Sequence, residues 1–166
     1  MEELQKAFNE LKLNEDYNMQ TNLCENIEFI FGPPGTGKTT YLVENVILPI
    51  MQKDEVNILV LTPTNKASDV IVRFIMEKAK QISPDWLVRF GTTSNNTIEQ
   101  SGVFRDKTYD TRNQKKSVIV TTIARFAYDY FLPDEHTRIY LRDFKWDYII
   151  IDEASMIPLI NIIFSL

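Results

Sequence analysis

The 166-residue chain carries one cysteine, Cys24, and one histidine, His136. A lone cysteine excludes an internal disulfide framework and fits a reducing compartment. Cys24 itself reads as a small buried apolar residue. A lone histidine with no acidic, His or Cys partners at ligand spacing excludes a zinc site of the usual kinds. No apolar run reaches the roughly 18 residues that a membrane helix needs. The N-terminus, residues 1–13, is amphipathic and charged and lacks the apolar centre of a signal peptide. An intracellular, cytoplasmic protein with no membrane partner is the expectation. Positive charge is also short: the net charge is −5. No global field draws in nucleic acid, so any such role needs a local surface.

What is present fits one ordinary soluble domain, with 44% apolar and 25% charged residues. Leu4, Phe8 and Leu11 share one helical face, and a polar loop follows over residues 14–26. Short bulky runs at 27–31 (IEFIF), 56–61 (VNILVL), 86–90 (WLVRF), 117–121 (SVIVT) and 146–151 (WDYIII) predict buried strands. Helices are predicted between them. One runs from Gly37 to about Met51, with Pro49 as a kink or early stop. A second runs from about Lys66 to Gln81, with Val70, Ile71, Phe74 and Ile75 as its apolar stripe and Lys78 at the edge. A third follows the fourth strand through Tyr130. Strands alternating with helices predict an α/β fold, a parallel sheet covered on both faces. Residues 91–116 are polar without a clear period and read as an inserted loop. Residues 157–166 are almost wholly apolar and need a partner surface, so the chain is expected to be a partial domain of a longer protein.

The segment Gly32-Pro33-Pro34-Gly35-Thr36-Gly37-Lys38-Thr39 fits the phosphate-binding pattern G-x-x-x-x-G-K-[ST] in full. Its glycines let the backbone turn N–H groups inward around phosphate oxygens, at a helix N-terminus. The two prolines rigidify the loop. Lys38 is placed to meet the β- and γ-phosphates, and the Thr39 hydroxyl to ligate Mg²⁺. ATP with Mg²⁺ is the expected ligand pair. Asp152 and Glu153 end a strand of three consecutive isoleucines, at the carboxyl edge where α/β sheets bind ligands. Asp152 suits Mg²⁺ through water, and Glu153 suits orientation and deprotonation of the attacking water. Lys38, Asp152 and Glu153 are the candidate catalytic residues.

Four blocks occur in order: GPPGTGKTT (Gly32 to Thr40), ILVLTPTNKASDVIV (Ile58 to Val72), SVIVTTIARF (Ser117 to Phe126) and DYIIIDEASM (Asp147 to Met156). Together they resemble the first motifs of superfamily 1 helicases. The first block is similar to the 5′-to-3′ branch that holds RNA-surveillance and DNA-replication helicases. The last resembles the RecD-like branch, with Met156 where many surveillance helicases have glutamine. The resemblance implies a three-layer, RecA-like P-loop NTPase domain with a mostly parallel central sheet. It further implies a motor that couples ATP hydrolysis to movement on single-stranded DNA or RNA, with a second RecA-like domain supplying arginine to the γ-phosphate. Without that domain the chain is expected to turn ATP over slowly or not at all.

By motif, the resemblance assigns Thr40 to the nucleotide loop and gives Gln20 as the upstream glutamine that reads adenine. It assigns Thr62, Pro63, Thr64, Asn65, Thr121 and Thr122 to the nucleic-acid backbone. Short hydroxyl and amide side chains at strand ends can bond phosphates without reading sequence. Residues 104–116 set five positive charges against two negative ones beside Phe104 and Tyr109, a possible further contact or a solvated loop. Tyr128, Tyr130 and Phe131 read as core or capping aromatics, with base stacking as the alternative. Two other classes remain open: a nucleotide-switched regulatory module, and another P-loop ATPase such as an AAA-type remodeller.

Overall fold

Five parallel strands make the central sheet of the computed structural model, which describes residues 27–33, 35–80, 84–111 and 114–165. They are β1 (Val56–Thr62), β2 (Leu87–Phe90), β3 (Phe104–Arg105), β4 (Lys116–Thr122) and β7 (Tyr148–Ile151). Their spatial order is β3-β2-β4-β1-β7. The β1–β4 register runs from Val56 opposite Lys116 to Thr62 opposite Thr122, so both strands end together. Ile58 to Leu61 pair with Tyr148 to Ile151, which brings Asp152 to the same edge.

Alternation along the strands divides the core. Ile58, Val60, Val118 and Val120 face one side. There they meet α1, which runs through Lys38–Tyr41, Leu42–Ile47 and Leu48–Ile50, and α2 (Asn65–Ala79). Leu59, Leu61, Val88, Phe90 and Ile119 face the other side, against α4 (Ile123–Phe126), Phe131, Leu141 and Ile157. The result is the expected three-layer α/β arrangement with a wholly parallel sheet.

Proline explains the odd centre of α1. Pro49 has no N–H, so it cannot close an α-type bond to the preceding turn. The helix widens into a π-type segment over Leu42–Ile47, and the Leu48 N–H reaches the Val43 carbonyl. Helix α2 starts where Thr64 accepts a bond from the Ala67 N–H at 3.2 Å. Its buried stripe is Ser68, Asp69, Ile71, Val72 and Ile75, while Val70 faces outward. The predicted stripe was thus set slightly off, because Asp69 is drawn inward by an ion pair. Lys78 lies at the edge, paired with Glu44 at 2.7 Å.

Three expectations need correction. Residues 27–31 form no strand; Phe29 and Phe31 are exposed, the latter by 83%. Strand preference is realised only against a paired, packed neighbour, and this run has no ladder partner among the described residues. The polar stretch 91–116 is not one solvated loop. It contains α3 (Asn96–Gln100) and β3, and buries Ile98 and Val103 completely. The helix after β4 stops at Phe126, well short of Tyr130. Tyr130–Phe131 (β5) instead pairs antiparallel with Ile139–Tyr140 (β6) as a small ribbon.

The last element, α5 (Leu159–Ser165), leaves Ile160 and Phe164 exposed. No helix among the described residues is long and apolar enough to cross a membrane. The expected N-terminal helix, Cys24, the candidate adenine reader Gln20, and Pro34 lie outside the described residues.

Candidate functional site

The phosphate loop enters α1 through two glycines in the left-handed region, Gly35 at φ 80° and Gly37 at φ 79°. A side chain is strained at such angles, which is why glycine stands at both. The turn is held by the Thr36 hydroxyl, which donates to the Pro33 carbonyl at 2.8 Å. Lys38 Nζ donates to the same carbonyl at 2.9 Å. The lysine therefore lies back along the loop and across its mouth. Thr39 and Thr40 follow in the first turn of α1, half-buried.

Asp152 leaves β7 with its N–H bonded to the Leu61 carbonyl of β1 at 2.9 Å. Burial pushes its carboxyl above the ordinary range, while the Glu153 backbone N–H and the Lys38 charge pull it back. Glu153 sits at φ 51°, a left-handed conformation that costs a non-glycine residue about 1–2 kcal/mol. The Met156 N–H bond to its carbonyl, 2.8 Å, locks the turn and leaves the Glu153 side chain exposed. Thr39 and Asp152 offer a hydroxyl and a carboxylate, hard oxygen donors of the kind Mg²⁺ accepts beside nucleotide phosphates. These residues fit the cation that the phosphate loop implies.

The residues expected on the nucleic-acid backbone divide. Thr64 and Asn65 are exposed and Pro63 is half-buried, beyond the end of β1. Thr62 is fully buried, its hydroxyl bonded to Ser68 Oγ at 2.7 Å and to the Thr64 carbonyl at 2.9 Å. Thr121 is fully buried as well, and its hydroxyl has no hydrogen-bond partner among the described residues. Thr122 is buried at the start of α4. The hydroxyls of Thr62 and Thr121 are directed into the fold, because β1 and β4 end side by side beneath helices.

The residue that the sequence did not single out is Arg89. It is fully buried on β2. Its Nε donates to Asp69 Oδ1 at 2.8 Å, and Nη2 donates to the Thr92 carbonyl at 2.7 Å and to Asn65 Oδ1 at 3.2 Å. Desolvation lowers its pKa, against the support of Asp69. The other Asp69 oxygen accepts from the Thr93 hydroxyl at 2.8 Å. Arg125 reaches the same loop, donating to Thr92 Oγ1 at 2.8 Å. Two arginines thus fasten the loop after β2 beside Asn65. A charged residue inside an apolar strand was the only available signal, since its partners lie on other elements.

A family model described as AAA domain matches residues 16–165. The probable RNA helicase armi of Drosophila melanogaster is 28% identical over 83 residues, 49% of this chain and 7% of that protein. The human RNA helicase Mov10l1 is 37% identical over 71 residues, 42% of this chain and 6% of that protein. The RecBCD enzyme subunit RecD of Buchnera aphidicola is 36% identical over 69 residues, 41% of this chain and 10% of that subunit. The alignments thus cover a tenth or less of each of these relatives. No solved structure matches. With a phosphate loop opening α1, an acidic pair ending β7, and helicases as its relatives, the chain belongs to the AAA domain family, on the side of superfamily 1 helicases.

Proposed function

We propose that this chain is the ATP-binding and ATP-hydrolysing N-terminal part of a helicase or translocase that acts on single-stranded DNA or RNA. One observation supports it above the others: the left-handed turn at Gly35 and Gly37 delivers Lys38 and Thr39 into α1, which packs on β1, the strand beside the one that ends at Asp152. Loop and acidic pair are then two halves of one phosphate site. In this reading the loop from Gly32 to Thr40 holds the phosphates, and Lys38 screens their charge. Thr39 and Asp152 hold Mg²⁺, and Glu153 orients the attacking water and takes its proton. Pro63, Thr64 and Asn65 meet the nucleic-acid backbone, with Thr122 at the neighbouring strand end. Thr62 and Thr121 frame these positions from within.

No arginine in this reading approaches the γ-phosphate from the opposite side. A stabilising arginine of that kind is worth about 10³–10⁵ in rate. A second RecA-like domain supplies it in the proposed motor, and the chain by itself binds nucleotide and hydrolyses it slowly. The test is a thermal-shift titration with Mg²⁺–ATP followed by a phosphate-release assay. Nucleotide at 100 times its dissociation constant should stabilise the chain by about 2.7 kcal/mol. Lys38→Ala should lose that shift. No shift in the wild type would remove the nucleotide reading. Fast turnover stimulated by single strands would remove the need for a second domain.

A further inference from the structure

The ribbon of β5 and β6 carries two half-buried tyrosines on the face opposite the buried Phe131. Phe131 is 1% exposed and stacks on Phe90, the last residue of β2, at 4.4 Å. Ile139 packs into the same cluster. Tyr130 and Tyr140, directly opposite each other in register, point the other way with ring centroids 5.3 Å apart. Cations lie over these rings: Lys107 Nζ at 4.2 Å and Arg138 at 5.2 Å from Tyr130, and Arg142 at 4.9 Å from Tyr140.

The ribbon's position is set by bonds on the carboxyl side of the sheet. The Leu132 N–H donates to the Lys107 carbonyl at 2.5 Å, just beyond β3. Asp129, buried before β5, pairs with Lys107 at 3.0 Å and with Arg125, which in turn holds Thr92. The tyrosines therefore stand on the edge that also carries Thr64 and Asn65.

We infer that the Tyr130–Tyr140 pair, with Lys107, Arg138 and Arg142, is a base-stacking surface for single-stranded nucleic acid. Aromatics with part of the ring open to solvent stack bases of any identity, and the exposed Arg138 and Arg142 beside them meet the phosphates between the bases. Arginine planes held on tyrosine rings extend the stack, since guanidinium groups also stack on bases. Carboxylates are near: Asp143 lies 3.6 Å from Arg142, and Asp134 in the connecting turn accepts from the His136 and Thr137 amides. The surface is therefore no broad positive field, and stacking carries its binding. The inference rests on the nucleic-acid reading above.

The experiment measures fluorescence anisotropy of two labelled 20-mers, oligodeoxythymidine and an abasic deoxyribose-phosphate oligomer, with the whole chain. The wild type should bind the thymidine oligomer more tightly than the abasic one. Tyr130→Ala with Tyr140→Ala should weaken thymidine binding by about 5- to 150-fold for each stacked base lost, leaving abasic binding unchanged. Tyr130→Phe with Tyr140→Phe should bind as the wild type, because the ring and not the hydroxyl does the stacking. An unshifted Mg²⁺–ATP stabilisation shows that each variant is folded. Equal binding of both oligomers by the wild type, or full thymidine binding by the double alanine variant, overturns the inference and leaves the backbone contacts standing. Binding of neither oligomer overturns the nucleic-acid reading, and the stacking surface with it.

Discussion

Replacing Arg89 by methionine should be among the most destabilising single changes in the chain. The guanidinium is fully buried and pairs with Asp69 at 2.8 Å, with the Asp69 side chain only 11% exposed. It also satisfies the Thr92 carbonyl and the Asn65 amide oxygen. Methionine fills a similar volume, so cavity formation contributes little. What remains is a carboxylate out of water with the Thr93 hydroxyl as its surviving side-chain partner. Breaking a buried pair from one side costs about 3–5 kcal/mol. A domain is stable by about 5–15 kcal/mol, so the loss is a large fraction of the whole. Urea unfolding followed by circular dichroism gives the difference directly. Asp69→Leu combined with Arg89→Met should recover part of the loss, because the unpaired charge is gone. A single-variant cost below about 1 kcal/mol, or a double variant no better than the single one, would refute a pair held by mutual desolvation.

Gly91→Ala should cost about 1–3 kcal/mol in the same assay. Gly91 sits at φ 116°, and a Cβ there would stand 2.9 Å from Arg125 Nε. Thr62→Val should lower stability by about 1–3 kcal/mol, because it removes the buried bonds to Ser68 Oγ and the Thr64 carbonyl and leaves Ser68 only its 3.4 Å bond to that carbonyl; unchanged urea midpoints would place that hydroxyl in solvent. Glu153→Gln should keep the Mg²⁺–ATP thermal shift while lowering any measurable phosphate release by about 10²–10⁴-fold. Equal release by both proteins would remove Glu153 from the chemistry.

The glycine turn before α1 and the strand end at Asp152 could be read from the sequence, because both follow from particular residues at set spacings. Gly35 and Gly37 need positive φ, and Lys38 must follow them directly. The parallel sheet was legible too, since apolar runs alternate with helical stretches. Tertiary pairing was not. Residues 27–31 have strand composition but no neighbour among the described residues. The two-residue strands β5 and β6 are too short to leave a period, and exist only through each other. Thr62 and Thr121 have the residue type of a backbone contact, yet the ends of β1 and β4 bury them. Arg89 looks like an interruption of an apolar strand until Asp69 is brought across from α2.

The pairing of β7 with β1 also governs when the acidic end of β7 reaches the sheet edge. Asn57 and Asp147 join these strands, the Asn57 N–H donating to Asp147 Oδ2 at 2.8 Å across 90 positions of sequence. Closing so long a span costs chain entropy before any reward, which makes such contacts slow to form. Asp152 and Glu153 reach the sheet edge only after that closure. A nascent chain can shape its glycine turn early, yet on the proposed reading its acidic pair joins that turn only after residues 147–153 have docked.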